Sequence, residues 1–229
     1  MKSEKNTTGF WVAIAVLIAW AICFYYNLTK EISWSSPFTY LMVLAQAHLY
    51  TGLFITAHDS MHGTVSQNRR LNAAIGFVAC NLFAFNNYKN LFAKHHEHHK
   101  FVATDADPDF HEDSNRSMWR WFYGFGTEYI TWQQIALNAL TFNVLAWFFG
   151  IDNALLTVVV PPILATFQLF YFGTYLPHRS DHDPENIHKS RSQPKNHIKA
   201  FFTCYFFGYH YEHHAMPYLA WWQLWTTKK

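Results

Sequence analysis

Four stretches of the chain run without a charged residue for about the thickness of a bilayer. Phe10–Tyr26 has 17 such residues, Pro37–Ala57 has 21, Tyr129–Phe149 has 21 and Ala154–Leu176 has 23. About 20 apolar residues in a helix cross a hydrocarbon core of about 30 Å. The pattern therefore predicts four membrane-spanning helices, with helices buried in a soluble core as the alternative. Bulky I-C-F-Y-Y-N-L closes the first run, with no small-residue cleavage site, so it reads as a retained anchor rather than a signal peptide. A fifth apolar stretch, Leu71–Phe85, has 15 residues and includes Asn72, Gly76 and Asn81. It is too short for a span and predicts a re-entrant, interfacial or protein-buried helix.

Charge gives the four spans a direction. With four crossings, Asn27–Ser36 and Gly150–Asn153 lie on one side, and that side holds Lys30 alone of 17 basic residues. The excess of Lys and Arg marks the cytoplasmic face, which then carries both termini and every other loop. Composition agrees, with 51% hydrophobic and 14% charged residues against about 25% charged in an average globular chain. A net charge of +2 is too small for nucleic-acid binding. Cys23, Cys80 and Cys204 are far apart and odd in number, and read as reduced packing residues. At 229 residues, one domain covering 1–229 is the default expectation.

The 15 histidines carry the chemistry. His58 and His62 close the second run, four residues apart. His95, His98 and His99, and again His210, His213 and His214, follow an H-x-x-H-H spacing. Side chains three and four apart share a helix face, so each group can present imidazoles to one metal ion. Eight such residues on one predicted membrane side exceed what one tetrahedral zinc uses and suit two metal ions. Imidazole alone does not choose among zinc, copper, iron and nickel. Asp59, Glu97 and Glu212 sit beside or between these histidines, where they can accept the second ring N–H of a ligand or simply face solvent. Both clusters read H-x-E-H-H, with Tyr211 in the place of His96, which makes His96 a bystander. His48 lies inside the second run as a core histidine, and His111, His188 and His197 read as loop residues.

Three such histidine boxes among four spans resemble the fatty-acid desaturase/hydroxylase superfamily. The segments L-Y-T-G-L-F-I-T-A-H-D-S-M-H-G at 49–63, H-H-E-H-H…D-A-D-P-D-F at 95–110, F-G-T-Y-L-P-H-R at 172–179 and Y-H-Y-E-H-H-A-M-P…W-W-Q-L at 209–224 carry a closer likeness. They resemble the bacterial-type β-carotene ketolases, the carotenoid 4-oxygenases, with Ala220 standing where a proline is expected. The resemblance implies an all-α integral membrane protein: four spans with a cytoplasmic helical cap, in the plasma or inner membrane of a bacterium. It implies two iron ions held by His58, His62, His95, His98, His99, His178, His210, His213 and His214. His178 enters only through the Leu-Pro-His-Arg match, since His182 is a rival four residues on. Asp107 and Asp109 are candidates for contacts behind the ligands, beside the plainer reading of turn-forming aspartates.

The implied reaction consumes O₂ and oxidises ring carbon 4 of a β-ionone ring; two successive hydroxylations and loss of water leave a ketone. The substrate would be a carotenoid of the β-carotene class, giving echinenone and canthaxanthin, or zeaxanthin giving astaxanthin. Phe83, Phe85, Tyr171, Phe172, Tyr175, Phe206 and Phe207 are candidate walls of a polyene slot. The chain has no Gly-rich nucleotide fingerprint and no haem-binding CxxCH, so electrons would come from an external donor such as ferredoxin. A carotenoid 3-hydroxylase or an acyl-lipid desaturase of the same superfamily is the enzymatic alternative. A histidine-rich metal transport or sensing protein is the alternative outside enzymes, although transport normally places polar ligands along the spans.

Overall fold

A computed structural model describes residues 7–110, 117–179 and 182–228, and among them the chain is helical with no β-strand. His111, Arg116 and Lys229 lie outside the described residues. The helices in order are α1 (Thr8–Thr29), α2 (Pro37–Met61), α3 (Arg69–Leu82), α4 (Tyr88–Phe101), α5 (Met118–Tyr129) and α6 (Trp132–Phe149). Next come a continuous α7 (Ile151–His178), then α8 (His197–Cys204) and α9 (His210–Ala215), with a 3₁₀ turn at Trp221–Thr227. They form two compact units: residues up to Asn87 with Thr131–Thr166, and Tyr88–Ile130 with the residues from Phe167 onward.

Among the described residues three helices are long and apolar enough to cross a membrane, namely α1, α2 and α7. At about 1.5 Å per residue, the 22 residues of α1 reach about 33 Å. The remaining predicted run, Tyr129–Phe149, forms the 18-residue α6, which is not among the three. Its amides explain the difference. Gln134 closes a capping box with Thr131 and donates to Asn86 Oδ1 at 2.9 Å, and Asn138 donates to the Ala84 carbonyl at 3.1 Å. Those amides tie α6 to the chain reversal at Ala84 and Phe85, both with positive φ. The fifth stretch forms α3, with 14 residues and thus about 21 Å. Asn68 caps its start, and Asn72, Ile75, Gly76, Ala79 and Cys80 are buried, while Phe77 and Val78 stay exposed. Asn72 donates to the Ser60 carbonyl at 2.5 Å, fixing α3 against the histidine-bearing end of α2.

That end of α2 stops abruptly. Gly63 adopts φ 74°, its N–H donates to the Ser60 carbonyl, and the Thr64 N–H donates to the Asp59 carbonyl, a Schellman arrangement that needs a residue free of Cβ penalty. Within α7, two π-helical segments, Leu155–Val159 and Phe170–Tyr175, each precede prolines: Pro161 and Pro162, then Pro177. A proline lacks an N–H and crowds the carbonyl four residues back, and a wider turn relieves both. The second wide turn leads directly into His178. In the second unit, His197, expected in a loop, instead opens α8 behind the Asn196 cap, with Nδ1 3.0 Å from the Tyr209 hydroxyl.

If the amides of α6 were ordinary lipid-facing positions, apolar substitution would be neutral or stabilising. The ties to Thr131 and Asn86 predict the opposite: Gln134→Leu should cost about 1–3 kcal/mol and lower the unfolding temperature of the detergent-solubilised protein. An unchanged or raised melting temperature would show that these hydrogen bonds carry no weight.

Candidate metal centre

Seven histidines meet in the second unit, delivered by three elements. Helix α4 presents His95, His98 and His99 on one side, the last turn of α7 presents His178, and α9 presents His210, His213 and His214. They separate into two groups. His98, His178, His210 and His214 are all buried, and each offers a ring nitrogen within 4.8 Å of the others. His98 Nε2 lies 3.2 Å from His214 Nε2, which lies 3.0 Å from His210 Nε2, which lies 2.9 Å from His178 Nε2. The other group holds His95, His99 and His213, again within 4.8 Å, with His99 Nε2 and His213 Nε2 3.0 Å apart. In the first unit, His58 and His62 close α2 with ring centroids 4.9 Å apart.

Proton counting shows what the buried group fits. His98 Nδ1 donates to Asp107 Oδ1 and His178 Nδ1 to the Lys189 carbonyl, both at 2.9 Å. With both Nδ1 atoms donating, each neutral ring keeps its single N–H there and points a lone pair from Nε2. Only His210 and His214 then have an Nε2 proton to give. With all four rings neutral, two protons satisfy at most two of the three Nε2 contacts, whereas one cation accepts all four nitrogens. Burial, with His210 and the other rings beside it, pushes His214 well below the usual imidazole range, which leaves its lone pair free at neutral pH. Burial acts in the same direction on His98, but the Asp107 hydrogen bond and the charges of Asp109 and Asp107 outweigh it and raise that ring. Carboxylates that favour a proton on His98 favour a cation in its place. The donor set fits a metal ion, and the His95, His99 and His213 group resembles the start of a second site.

Residues 32–132 and 125–228 match the family model described as fatty acid desaturase. The chain belongs to the fatty acid desaturase family. Its relatives include a β-carotene 4-ketolase of Protosiphon botryoides, 38% identical over 99% of this chain and 65% of the relative. A zeaxanthin 4-ketolase of Chlamydomonas reinhardtii is 38% identical over 96% and 53%. A β-carotene ketolase of Paracoccus sp. (strain PC1) is 38% identical over 99% and 96%. The chain thus spans between half and two-thirds of the length of these algal relatives, and nearly all of the Paracoccus one.

In this desaturase-family chain, the carboxylates divide differently from the expectation that Glu97 and Glu212 back the ligands. Glu97 is exposed on α4. Glu212 accepts from Ser192 Oγ and pairs with Lys228 rather than with an imidazole. Asp59 lies 3.4 Å from Nδ1 of its neighbour His58. Asp107 does two things at once: Oδ1 accepts from His98 and from the Asp109 N–H, and Oδ2 accepts from the Ala103 N–H at 2.9 Å. Asp109 in turn accepts from the Tyr129 hydroxyl, and its carbonyl accepts from Trp121 Nε1 at 2.7 Å. Burial, reinforced by Asp107, pushes the Asp109 carboxyl above the usual range although His98 and Lys94 pull it down. His182 contacts the His178 carbonyl at 3.3 Å and belongs to neither group, so His178 is the member that the cluster contains. His96 turns outward, stacked on Phe92 with Nδ1 2.8 Å from the Phe92 carbonyl.

Of the expected wall aromatics, Phe207 adjoins histidine rings of these groups, at 5.1 Å from His210 and 5.3 Å from His213. Phe206 stacks on Trp221, and Tyr175 packs on Trp121 and Phe170. Tyr171 and Phe172 pack on each other. Phe83 packs against Tyr50 and Phe54 in the first unit, where Phe85 occupies the reversal after α3.

Partners that orient a ligand typically change metal affinity by about 10–100-fold when removed. Asp107→Ala should weaken metal binding by about that factor in a titration of the purified protein, while Glu97→Ala should leave it unchanged. Equal affinities in the two variants would contradict the role of Asp107.

Proposed function

We propose that the chain is a carotenoid 4-ketolase, an O₂-dependent oxygenase that converts the β-ionone ring of β-carotene to a 4-keto ring through two hydroxylations and dehydration. The convergence of four Nε2 atoms in the second unit is the observation that carries this reading. The relatives' names, β-carotene and zeaxanthin 4-ketolase, give it its substrate class. In this reading His98, His178, His210 and His214 hold one iron ion and His95, His99 and His213 hold the other, with His58 and His62 the further ligands that the resemblance implies. Iron so held supplies the O₂-dependent oxidation of an allylic C–H bond, chemistry that belongs to the cofactor rather than to side chains.

The chain's own residues bind, orient and insulate. Asp107 and the Lys189 carbonyl hold the tautomers of His98 and His178. The carboxylates of buried Asp107 and half-buried Asp109 offset part of the cationic charge of an all-imidazole shell. The burial of His98, His178, His210, His213 and His214 keeps bulk water from the centre. In this reading α6 is a fourth span, the histidines and both termini face the cytoplasm of a bacterium, and electrons arrive from a ferredoxin-like carrier.

Co-expression in cells that make β-carotene tests the activity. Echinenone and canthaxanthin are the expected products; zeaxanthin would mean ring hydroxylation at carbon 3. Unchanged carotenoid with altered acyl chains would sink the ketolase assignment. His213→Ala should abolish ketone formation with the protein still inserted in the membrane, and full activity in that variant would refute its place as a ligand.

A further inference from the structure

Phe207 touches both histidine groups, and its seat is built by residues far apart in sequence. The ring meets His210 at 84° and His213 at 42° between planes. His210 belongs to the group of four and His213 to the other, and their own centroids stand 5.9 Å apart. Behind the ring lies Gly173, inside the second π segment of α7. A Cβ there would stand 2.8 Å from Phe207 Cδ1 and 3.0 Å from Cε1, so only glycine leaves the notch open. Before it, Tyr205 and Phe206 take left-handed φ of 47° and 62°. Bulky residues avoid that region, and strain of this kind persists where the surrounding structure holds it for a purpose. The two left-handed residues reverse the chain after α8, and the Phe207 N–H donates to the Cys204 carbonyl at 2.7 Å.

We infer that Phe207, seated in the Gly173 notch, is a positioning residue that sets the spacing between the two histidine groups by bracing His210 and His213. Leucine or methionine would fill the volume but would not present a rigid face to two rings at once. A small residue on α7, by contrast, has no reason to matter unless the ring against it does. The inference rests on the reading of the histidines as metal ligands, and its test separates the two.

Cobalt(II) titration of the purified full-length protein in detergent reads both ion count and ligand geometry through the visible spectrum. The parent protein should take up two ions; a parent that takes up none overturns both the metal reading and the brace. Gly173→Ala, which drives a methyl into the ring, should shift the spectrum and weaken one ion by about tenfold. Phe207→Leu should do the same by removing the brace. Their combination, in which the methyl no longer meets the ring, should match Phe207→Leu alone rather than sum the two losses, a coupling that independent sites do not show. Strictly additive losses, or single variants with a lowered melting temperature and parental spectra, would overturn the inference. Phe207→Met, which demands no new space, should also shift the spectrum; a parental spectrum there would count equally against it.

Discussion

Imidazole nitrogens held about 3 Å apart in a buried space are the constraint on which the second unit depends. Such crowding is unfavourable unless something shares the lone pairs, because a neutral ring has one proton and a buried polar atom without a partner costs about 1–3 kcal/mol. His98, His178, His210 and His214 accept that crowding, and the surrounding chain is organised to hold it. The wide turn before Pro177 delivers His178, Asp107 and the Lys189 carbonyl fix two ring tautomers, and the two-residue left-handed reversal after α8 places α9.

The aspartate turn shows how one residue serves local and distant needs. Asp107 closes its own turn through the Ala103 and Asp109 N–H groups and reaches a ring nitrogen nine residues away on α4. Tyr129 and Trp121 of α5 clamp the same turn through Asp109. A change in α5 therefore bears on His98 through three successive hydrogen-bonded contacts.

Much of this was legible in the sequence because helices write their faces locally. The i, i+3 and i, i+4 spacing marked His95, His98 and His99, and His210, His213 and His214, before any coordinates, and uncharged runs marked α1, α2 and α7. His178 stands alone on its helix end, so no spacing could choose it over His182; only the Leu-Pro-His-Arg resemblance did. Glu97 and Glu212 repeat at the same place in both boxes, yet a residue between two same-face histidines points to the other side of the helix, toward solvent or Lys228. The Lys189 carbonyl had no signature, being backbone. The polar content of α6 was visible as Gln134 and Asn138, but their partners at Ala84 and Asn86 lie about fifty residues away, beyond any periodicity.

We propose that these histidines hold two iron ions. Iron quantitation together with Mössbauer spectroscopy, on protein purified from cells grown with iron-57, tests it most directly. Two iron ions per chain, both in nitrogen-rich environments, is the predicted result. A folded, membrane-inserted chain with one iron, no iron, or zinc in both positions would contradict the account.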